Sequence, residues 1–329
     1  MEWIDKFVEM IFPLDRRNMN IEGAFMLKHQ HLPKSIFKYR EVNEYSLRNL
    51  QEDTIWLADP SNFNDPYDCA HTIDLDALSR ANSKIYLSQF LTEKGLEVQL
   101  GKDALENILE SDDPMVSFMD AILSEEPEEK REGIKTALLS ARQKLNEDMV
   151  RNSSKHISSS FKLCSFSERI DSMLMWSHYS YYHQGYCIEY EIENIPYGDF
   201  RTRFLYPVIY SDNMVDATEH ILNGIDHEGF NNLYLNKAAL VKATDWNYER
   251  EWRLVFANGI LGNEQSHYMG KPKALYLGAK IKPNNQDTLI EICKSNSIPC
   301  FKMKAHASQF KVEPTSIEDA DQFFFKYEV

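Results

Sequence analysis

The chain has 329 residues, 43% of them hydrophobic, which is ample for a sizeable packed core in one large domain or two ordinary ones. Its 36 Lys and Arg against 51 Asp and Glu give a net charge of −15, which disfavours a general electrostatic grip on nucleic acid or on an anionic membrane and favours small-molecule substrates. The five cysteines, Cys69, Cys164, Cys187, Cys293 and Cys300, are scattered and form no C-x-x-C pair, so neither a zinc knuckle nor a disulfide framework is supported. With an acidic N-terminus and only short apolar runs, the expectation is a cytoplasmic protein with no signal peptide, anchor or membrane contact.

In chain order, Trp3, Phe7, Met10 and Ile11 share a face and predict an amphipathic first helix. SIFKYR (35–40) alternates as a strand, VNEYSLRNLQ places Tyr45, Leu47 and Leu50 at helical spacing, and TIWLAD reads as a second strand entering the loop DPSNFNDPYD. From Asp74 to about Asn152 helix formers and charges recur with a period of 3.6. This predicts a helical insertion, residues 74–152, within a single domain of residues 1–329. Its stretch EEPEEKRE reads as a solvated helix start, with the Glu residues near the positive end of the helix dipole.

Strands resume with SSFKLCSF. SMLMWSHYSYYH predicts a helix apolar on nearly every face, hence buried, and closed by Gly185. GYCIEYEIE and RTRFLYPVIYSD read as strands, a helix pair intervenes, and WNYEREWRLVF runs into another strand. KALYLGAKI gives one more strand, NNQDTLIEICKSNS a helix, and PCFKMKAH a final strand. The fold class is α+β, a mixed or antiparallel sheet with flanking helices and a helical insertion.

Residues 175–190, MWSHYSYYHQGYCIEY, concentrate one Trp, five Tyr and two His. Two readings stay open: core filling, with tyrosine hydroxyls on backbone partners, or a cleft edge where His178 and Tyr179 stack on a base or nicotinamide ring. Trp176 and Trp252 read as core anchors. In DPSNFNDPYD, Asp65-Pro66 favours a turn and Phe63 and Tyr67 plug the loop onto the core, while Asn64, Asp65 and Asp68 could hold ribose hydroxyls or a metal.

Four segments together, IFKYR, SNFNDPYDC, LCSFSERIDSMLMWSHYSYYHQGYCIEYE and YEREWRL, resemble a widespread bacterial family classed as domain of unknown function 2971. The hallmarks are K-Y-R near the start, an F-N-D-P-aromatic-D loop, C-F-S followed by M-W-x-H-Y and a Gly, and a late E-W-R. Here C-F-S stands as Cys164-Ser165-Phe166-Ser167. The resemblance runs from about Ser35 to Ile281, leaves the helical insertion outside, and implies a bacterial protein without assigning an activity.

A second resemblance concerns mechanism: Arg40, then Ser165-Phe166-Ser167, then Glu249-Arg250-Glu251 is similar to the R…S-x-S…E-x-E order of arginine-type ADP-ribosyltransferases. That resemblance implies NAD as substrate, with Arg40 on its phosphate or ribose, the serines stabilising the site, and Glu251 on the nicotinamide ribose as positive charge develops. Glu251, His178 and Arg40 are then the candidate catalytic residues. Tyr39, Asn64, Asp65, Asp68, Ser165, Ser167, Tyr179, Glu249 and Arg253 are the candidate binding residues. E-x-E also occurs at Glu126/Glu128, Glu189/Glu191 and Glu191/Glu193, so order and context carry this reading, not the motif alone.

Two alternatives stand beside it. Asp65, Asp68, His178 and Glu251 could serve metal-assisted hydrolysis, although no H-x-x-x-H or D-x-D spacing backs them and no metal or prosthetic group is indicated. Or the loop and aromatic helix bind a nucleotide or a phage or host component without turnover, as a sensor in a bacterial defence or stress locus. The sequence names no protein or nucleic-acid target. On the enzyme reading, Arg40, the 64–68 loop, His178 and Glu251 are expected to line one pocket. Glu249 and Glu251 are expected to share a strand face, and Glu251→Gln to leave folding nearly intact.

Overall fold

The computed structural model describes residues 2–94, 101–224, 227–257 and 265–317. The amphipathic α1 (Glu2–Ile11) buries Phe7 and Ile11 and lays Trp3 over Trp252, ring centroids 6.1 Å apart. It packs on α2 (Ile21–His29), whose first turn is capped by the Asn20 side chain on the Gly23 N–H. β1 (Ser35–Arg40) takes up the alternation of SIFKYR. α3 (Glu44–Gln51) follows from a capping box in which Asn43 and Ser46 satisfy each other's backbone N–H groups. Only Thr54–Trp56 of TIWLAD forms a strand, β2, and Ala58, two residues on, bridges Leu163 instead.

After β3 (His71–Thr72) come α4 (Leu75–Lys94), α5 (Lys102–Leu109), α6 (Pro114–Ile122) and α7 (Glu128–Ser159). They are the helical segment expected at residues 74–152, and α7 carries it on to Ser159. Leu87, Leu91, Ile108 and Phe118 give this segment a small apolar cluster of its own.

The remaining elements build the sheet: β4 (Phe161–Ser167), α8 (Met173–Tyr179), β5 (Tyr186–Glu191), α9 (Phe200–Arg203), β6 (Leu205–Pro207), β7 (Ile209–Tyr210), β8 (Val215–Asp216), α10 (Thr218–Asn223), β9 (Val241–Lys242), β10 (Glu251–Ala257), β11 (Ser266–Tyr268), β12 (Ala274–Leu277), α11 (Pro283–Asn296), β13 (Cys300–Ala305) and β14 (Val312–Thr315). Eight strands run in the order β14-β13-β12-β5-β1-β4-β10-β6. All neighbours are antiparallel except β12 and β13, so the sheet is mixed and the fold is α+β.

One face of the sheet packs Ile36, Phe166, Ile188, Trp252 and Leu254 against Leu50 of α3 and Leu289 and Ile292 of α11. The other face is divided. Phe161, Leu163 and Val255 pack with α1 and α2, while Tyr39 and Cys187 pack with Met175 and Trp176 of α8. Among the described residues no helix is long and apolar enough to cross a membrane.

Several expectations need correction. α8 is seven residues long and is not a buried core helix: Met175 and Trp176 are buried, but Met173 and Leu174 are exposed. Its period breaks after Tyr179, because Tyr181, Tyr182 and His183 take positive φ. RTRFLYPVIYSD is not one strand but α9, β6 and β7. The expected helix pair is α10 and a 3-10 turn, Tyr234–Ala239. β11 and β14 carried no clear sequence signal. Trp176 and Trp252 are both core anchors, at 0% and 2% exposure.

Candidate functional site

The site lies where the sheet splits. β1 pairs with β5 along all six residues and β4 pairs with β10 along all seven, but β1 and β4 meet only at Phe37 and Ser167. Beyond that point they diverge, and the gap is bridged by the Lys38 ammonium, which donates to the Ser165 carbonyl at 2.8 Å. The far end is closed by Ala58 and Leu163, which exchange backbone hydrogen bonds of 2.8 and 2.9 Å. This wedge holds an inner cavity of about 190 Å³, and an outer cavity of about 1100 Å³ adjoins it. Lys38, Tyr39, Arg40, Trp56 and Tyr179 border both.

The floor of the inner cavity is a buried charge cluster. The Lys242 ammonium lies 2.7 Å from Glu249 Oε2 and 3.1 Å from Glu251 Oε2. Arg253, wholly buried in β10, donates from Nε to Glu251 Oε1 at 2.8 Å and from Nη1 to the Ala239 carbonyl at 2.8 Å, and pairs with Asp68 at 2.7 Å. Tyr179 donates its hydroxyl to Glu249 Oε1 at 2.6 Å, the Ser165 hydroxyl bonds Glu251, and the Glu251 N–H donates to the Tyr210 oxygen. Ser167 Oγ donates to the Glu249 carbonyl and accepts the Arg169 N–H. Glu249 ends a 3-10 turn, Thr244–Glu249, and Arg250 turns left-handed at φ 43° before the strand begins. The two carboxylates therefore converge on Lys242 through a turn and not, as expected, through a common strand face.

Three carboxylates, Asp68, Glu249 and Glu251, face two cations, Lys242 and Arg253, so one negative charge is in excess. Isolated buried charge is expensive, so the excess raises the proton affinity of the cluster. Burial raises the Glu249 carboxyl above its ordinary range against the pull of Lys242, and the charge on Glu251 adds to the rise. Burial likewise raises Asp68 although Arg253 opposes it. For Glu251 burial is outweighed by Arg253 and Lys242, which hold it below the ordinary range and ionised. The cluster thus pairs a fixed carboxylate with a neighbour that takes up protons more readily, the usual arrangement for separating acid and base roles.

The outer cavity differs in character. Trp56, Tyr45, Tyr181 and Tyr182 present exposed rings to it, and Asn49 and His178 line it. Arg40, at the border of the two cavities, forms no ion pair with any described residue.

Of the candidates read from sequence, Tyr39, Arg40, Asn64, Asp68, Ser165, Ser167, Tyr179, Glu249 and Glu251 line the inner cavity together. His178 does not: it is exposed and lines only the outer cavity, its ring beside Tyr179 and Tyr248. Asp65 lines neither cavity, since its Oδ1 accepts the Tyr67 N–H and fixes the loop. Arg253 also lines neither and stands behind Glu251 as its counter-ion. Asp65, Asp68, His178 and Glu251 are not gathered as metal ligands, and among the described residues no three of His, Cys, Asp or Glu are. The metal-assisted reading has no geometric support.

Lys38, Lys242, Tyr210 and Asn49 were missed. Lys38 sits inside the K-Y-R motif, where a cation next to Tyr39 was a usable signal. Lys242 lies in LVKAT, where only its isolation among apolar residues marks it. Glu251 has a packing role that the sequence did not disclose, which alters the expectation for Glu251→Gln.

Compared with known proteins, residues 175–254 match the family described as protein of unknown function (DUF2971). No curated protein and no solved structure matches the chain. The matched segment starts in α8 and ends in β10, so it includes Tyr179, Lys242, Glu249 and Glu251, while the β1 and β4 walls of the cleft lie outside it.

Proposed function

Residues 175–254 match the DUF2971 family, and on that premise we propose that the cleft binds NAD and breaks its nicotinamide–ribose bond, passing ADP-ribose to water or to an acceptor. The observation that carries the reading is the polarity of one cavity: Arg40, which forms no ion pair among the described residues, and the buried carboxylates Glu249 and Glu251 line the same space. Arg40 supplies a planar fork of N–H donors for a phosphate of the dinucleotide. Glu251, kept ionised by Arg253 and Lys242, supplies fixed negative charge where C1′ becomes cationic.

In the step itself the C1′–N bond breaks, its electron pair leaves on nicotinamide, and an oxygen nucleophile bonds C1′ and gives up its proton. Glu249, with its raised proton affinity and its contact to the Tyr179 hydroxyl, suits that transfer. The order of Arg40, Ser165, Ser167 and Glu251 on neighbouring strands β1, β4 and β10 supports the ADP-ribosyltransferase likeness.

A second reading, a nucleotide sensor without turnover, is favoured by one observation: both Glu251 oxygens are already engaged within the protein. Calorimetric titration with NAD, paired with a nicotinamide-release assay on wild type and Glu251→Gln, separates the two. Binding with release that the variant loses supports cleavage, binding without release supports the sensor, and neither binding nor release removes the NAD reading.

A further inference from the structure

Three consecutive residues, Tyr181, Tyr182 and His183, have φ of 48°, 56° and 66°. Left-handed backbone is unfavourable for any residue with a Cβ, and a run of three persists only where the surroundings over-determine it. The determinants are visible. The His183 N–H donates to the Trp176 carbonyl at 3.0 Å, the Gly185 N–H to the Ser180 carbonyl at 2.7 Å, and Ser177 Oγ lies 3.1 Å from His183 Nε2. These contacts fix the turn, yet burial does not offset its strain, since Tyr181 and Tyr182 are 55% and 67% exposed. Their rings, 5.8 Å apart and inclined at 60°, project into the outer cavity.

The same cavity is lined by Asn49 of α3. At 8% exposure it is nearly buried, yet its carboxamide makes no hydrogen bond with another described residue. A carboxamide offers one donor and one acceptor side by side. That matches the N6/N7 edge of adenine and not the paired acceptors of guanine.

We propose that the outer cavity is an adenine-nucleotide subsite, in which Tyr182 stacks on the base with Tyr181 edge-on beside it, Asn49 reads the base's edge and Arg40 holds its phosphate. As the far half of a dinucleotide site it rests on the NAD reading of the inner cavity; adenine-nucleotide binding as such does not. A single-stranded nucleic acid is the less suited occupant. It would need a continuous basic track along its backbone, whereas in this chain of net charge −15 the cavity's Lys38, Arg40 and Arg48 are interspersed with Glu41 and Glu52, and Arg48 is paired with Glu44.

The test titrates the full chain with ADP, GDP, nicotinamide mononucleotide and a mixed-sequence single-stranded oligonucleotide, and repeats the ADP titration on Tyr182→Ala, Tyr182→Gly and Asn49→Leu. ADP is expected to bind at least about tenfold more tightly than GDP or the mononucleotide, and Tyr182→Ala and Asn49→Leu each to weaken ADP by about tenfold. Tyr182→Gly, which takes positive φ without steric cost, is expected to lose the same affinity while melting no lower than wild type.

Equal binding of ADP and GDP, tighter binding of the oligonucleotide, or a lowered melting temperature in the glycine variant would overturn the subsite. Selective ADP binding with no nicotinamide release from NAD leaves the subsite standing and removes the cleavage reading. Nicotinamide release with KM for NAD unchanged in Tyr182→Ala and Asn49→Leu overturns the subsite and leaves cleavage standing.

Discussion

Lys242 Nζ stands 2.7 Å from Glu249 and 3.1 Å from Glu251, so one buried lysine serves two carboxylates that are two residues apart in the chain. Removing one partner of a buried ion pair leaves an uncompensated charge, and here Glu249 would lose its cation while Glu251 kept Arg253, raising the cluster's excess negative charge from one to two. Lys242→Met is therefore expected to destabilise the fold by about 3 to 5 kcal/mol. Adding Glu249→Gln should recover part of that loss, because the carboxyl most inclined to take a proton is then already neutral. Urea denaturation of the two single variants and the double variant measures the coupling, and strict additivity would contradict the shared-lysine account.

Glu251→Gln has a more moderate expected outcome than Glu251→Ala. The glutamine leaves two carboxylates against two cations, and Arg253 keeps Asp68 and the Ala239 carbonyl. About 1 to 3 kcal/mol is expected for the lost charge-assisted hydrogen bonds, against about 3 to 5 kcal/mol for the alanine variant, which also opens a void beside Arg253. On the cleavage reading, nicotinamide release by the glutamine variant should fall by about 10²- to 10³-fold while NAD affinity changes little. A glutamine variant that melts like wild type and releases nicotinamide normally would assign Glu251 neither role.

The strands of the site were legible because their signals are local: SIFKYR alternates, and the order Arg40, Ser165, Ser167, Glu251 is written along the chain. The helix at Met173 was legible in its start, where Ser172 caps Met175, but not in its end. Apolar spacing continues through Tyr182, and what stops the helix is tertiary: His183 bonds Trp176, and the Gly278 backbone lies close against His183. Lys242 and Asn49 were hidden for a related reason. β9 has two residues and therefore no period, and an asparagine on an amphipathic helix declares nothing until the helix is docked. The burial of Arg253 was half legible, as a charge among the apolar residues of WRLVF, but its partner Asp68 lies 185 residues away.

Gly185 ties the strained turn to the arginine. A Cβ on Gly185 would sit 2.1 Å from the Arg40 carbonyl oxygen and 3.0 Å from that of Ser180, both of them backbone atoms that cannot swing aside. Gly185→Ala is expected to push the end of β1 outward, lowering stability by about 1 to 3 kcal/mol and displacing Arg40 from the border of the two cavities. Gly133→Ala in α7, where an added Cβ meets nothing within 4 Å, is the control and should stabilise by about 0.5 to 1 kcal/mol. ADP titration distinguishes the two. Unchanged ADP affinity in the Gly185 variant would mean that Arg40 does not hold the phosphate.

The charge cluster also fixes how stability depends on pH. Glu251 is held below its ordinary value of 4.5, so its folded state binds a proton less readily than its unfolded state. It therefore contributes stability that is complete above about 4.5 and is lost as pH falls below that value. Glu249 and Asp68 have the opposite sign. Raised above 4.5 and 3.8 respectively, they bind protons more tightly when folded, so their contribution grows as pH falls from neutrality through their raised values. Together these predict a melting temperature that rises slightly on mild acidification and then drops steeply below about pH 4.5. Glu249→Gln should remove part of the rise, and Glu251→Gln should make the acid limb shallower. Calorimetric scans of wild type and both variants at intervals from about pH 3 to pH 8 test each arm separately. An acid limb of the same slope in Glu251→Gln would show that the ionised state of Glu251 does not contribute to holding the site together.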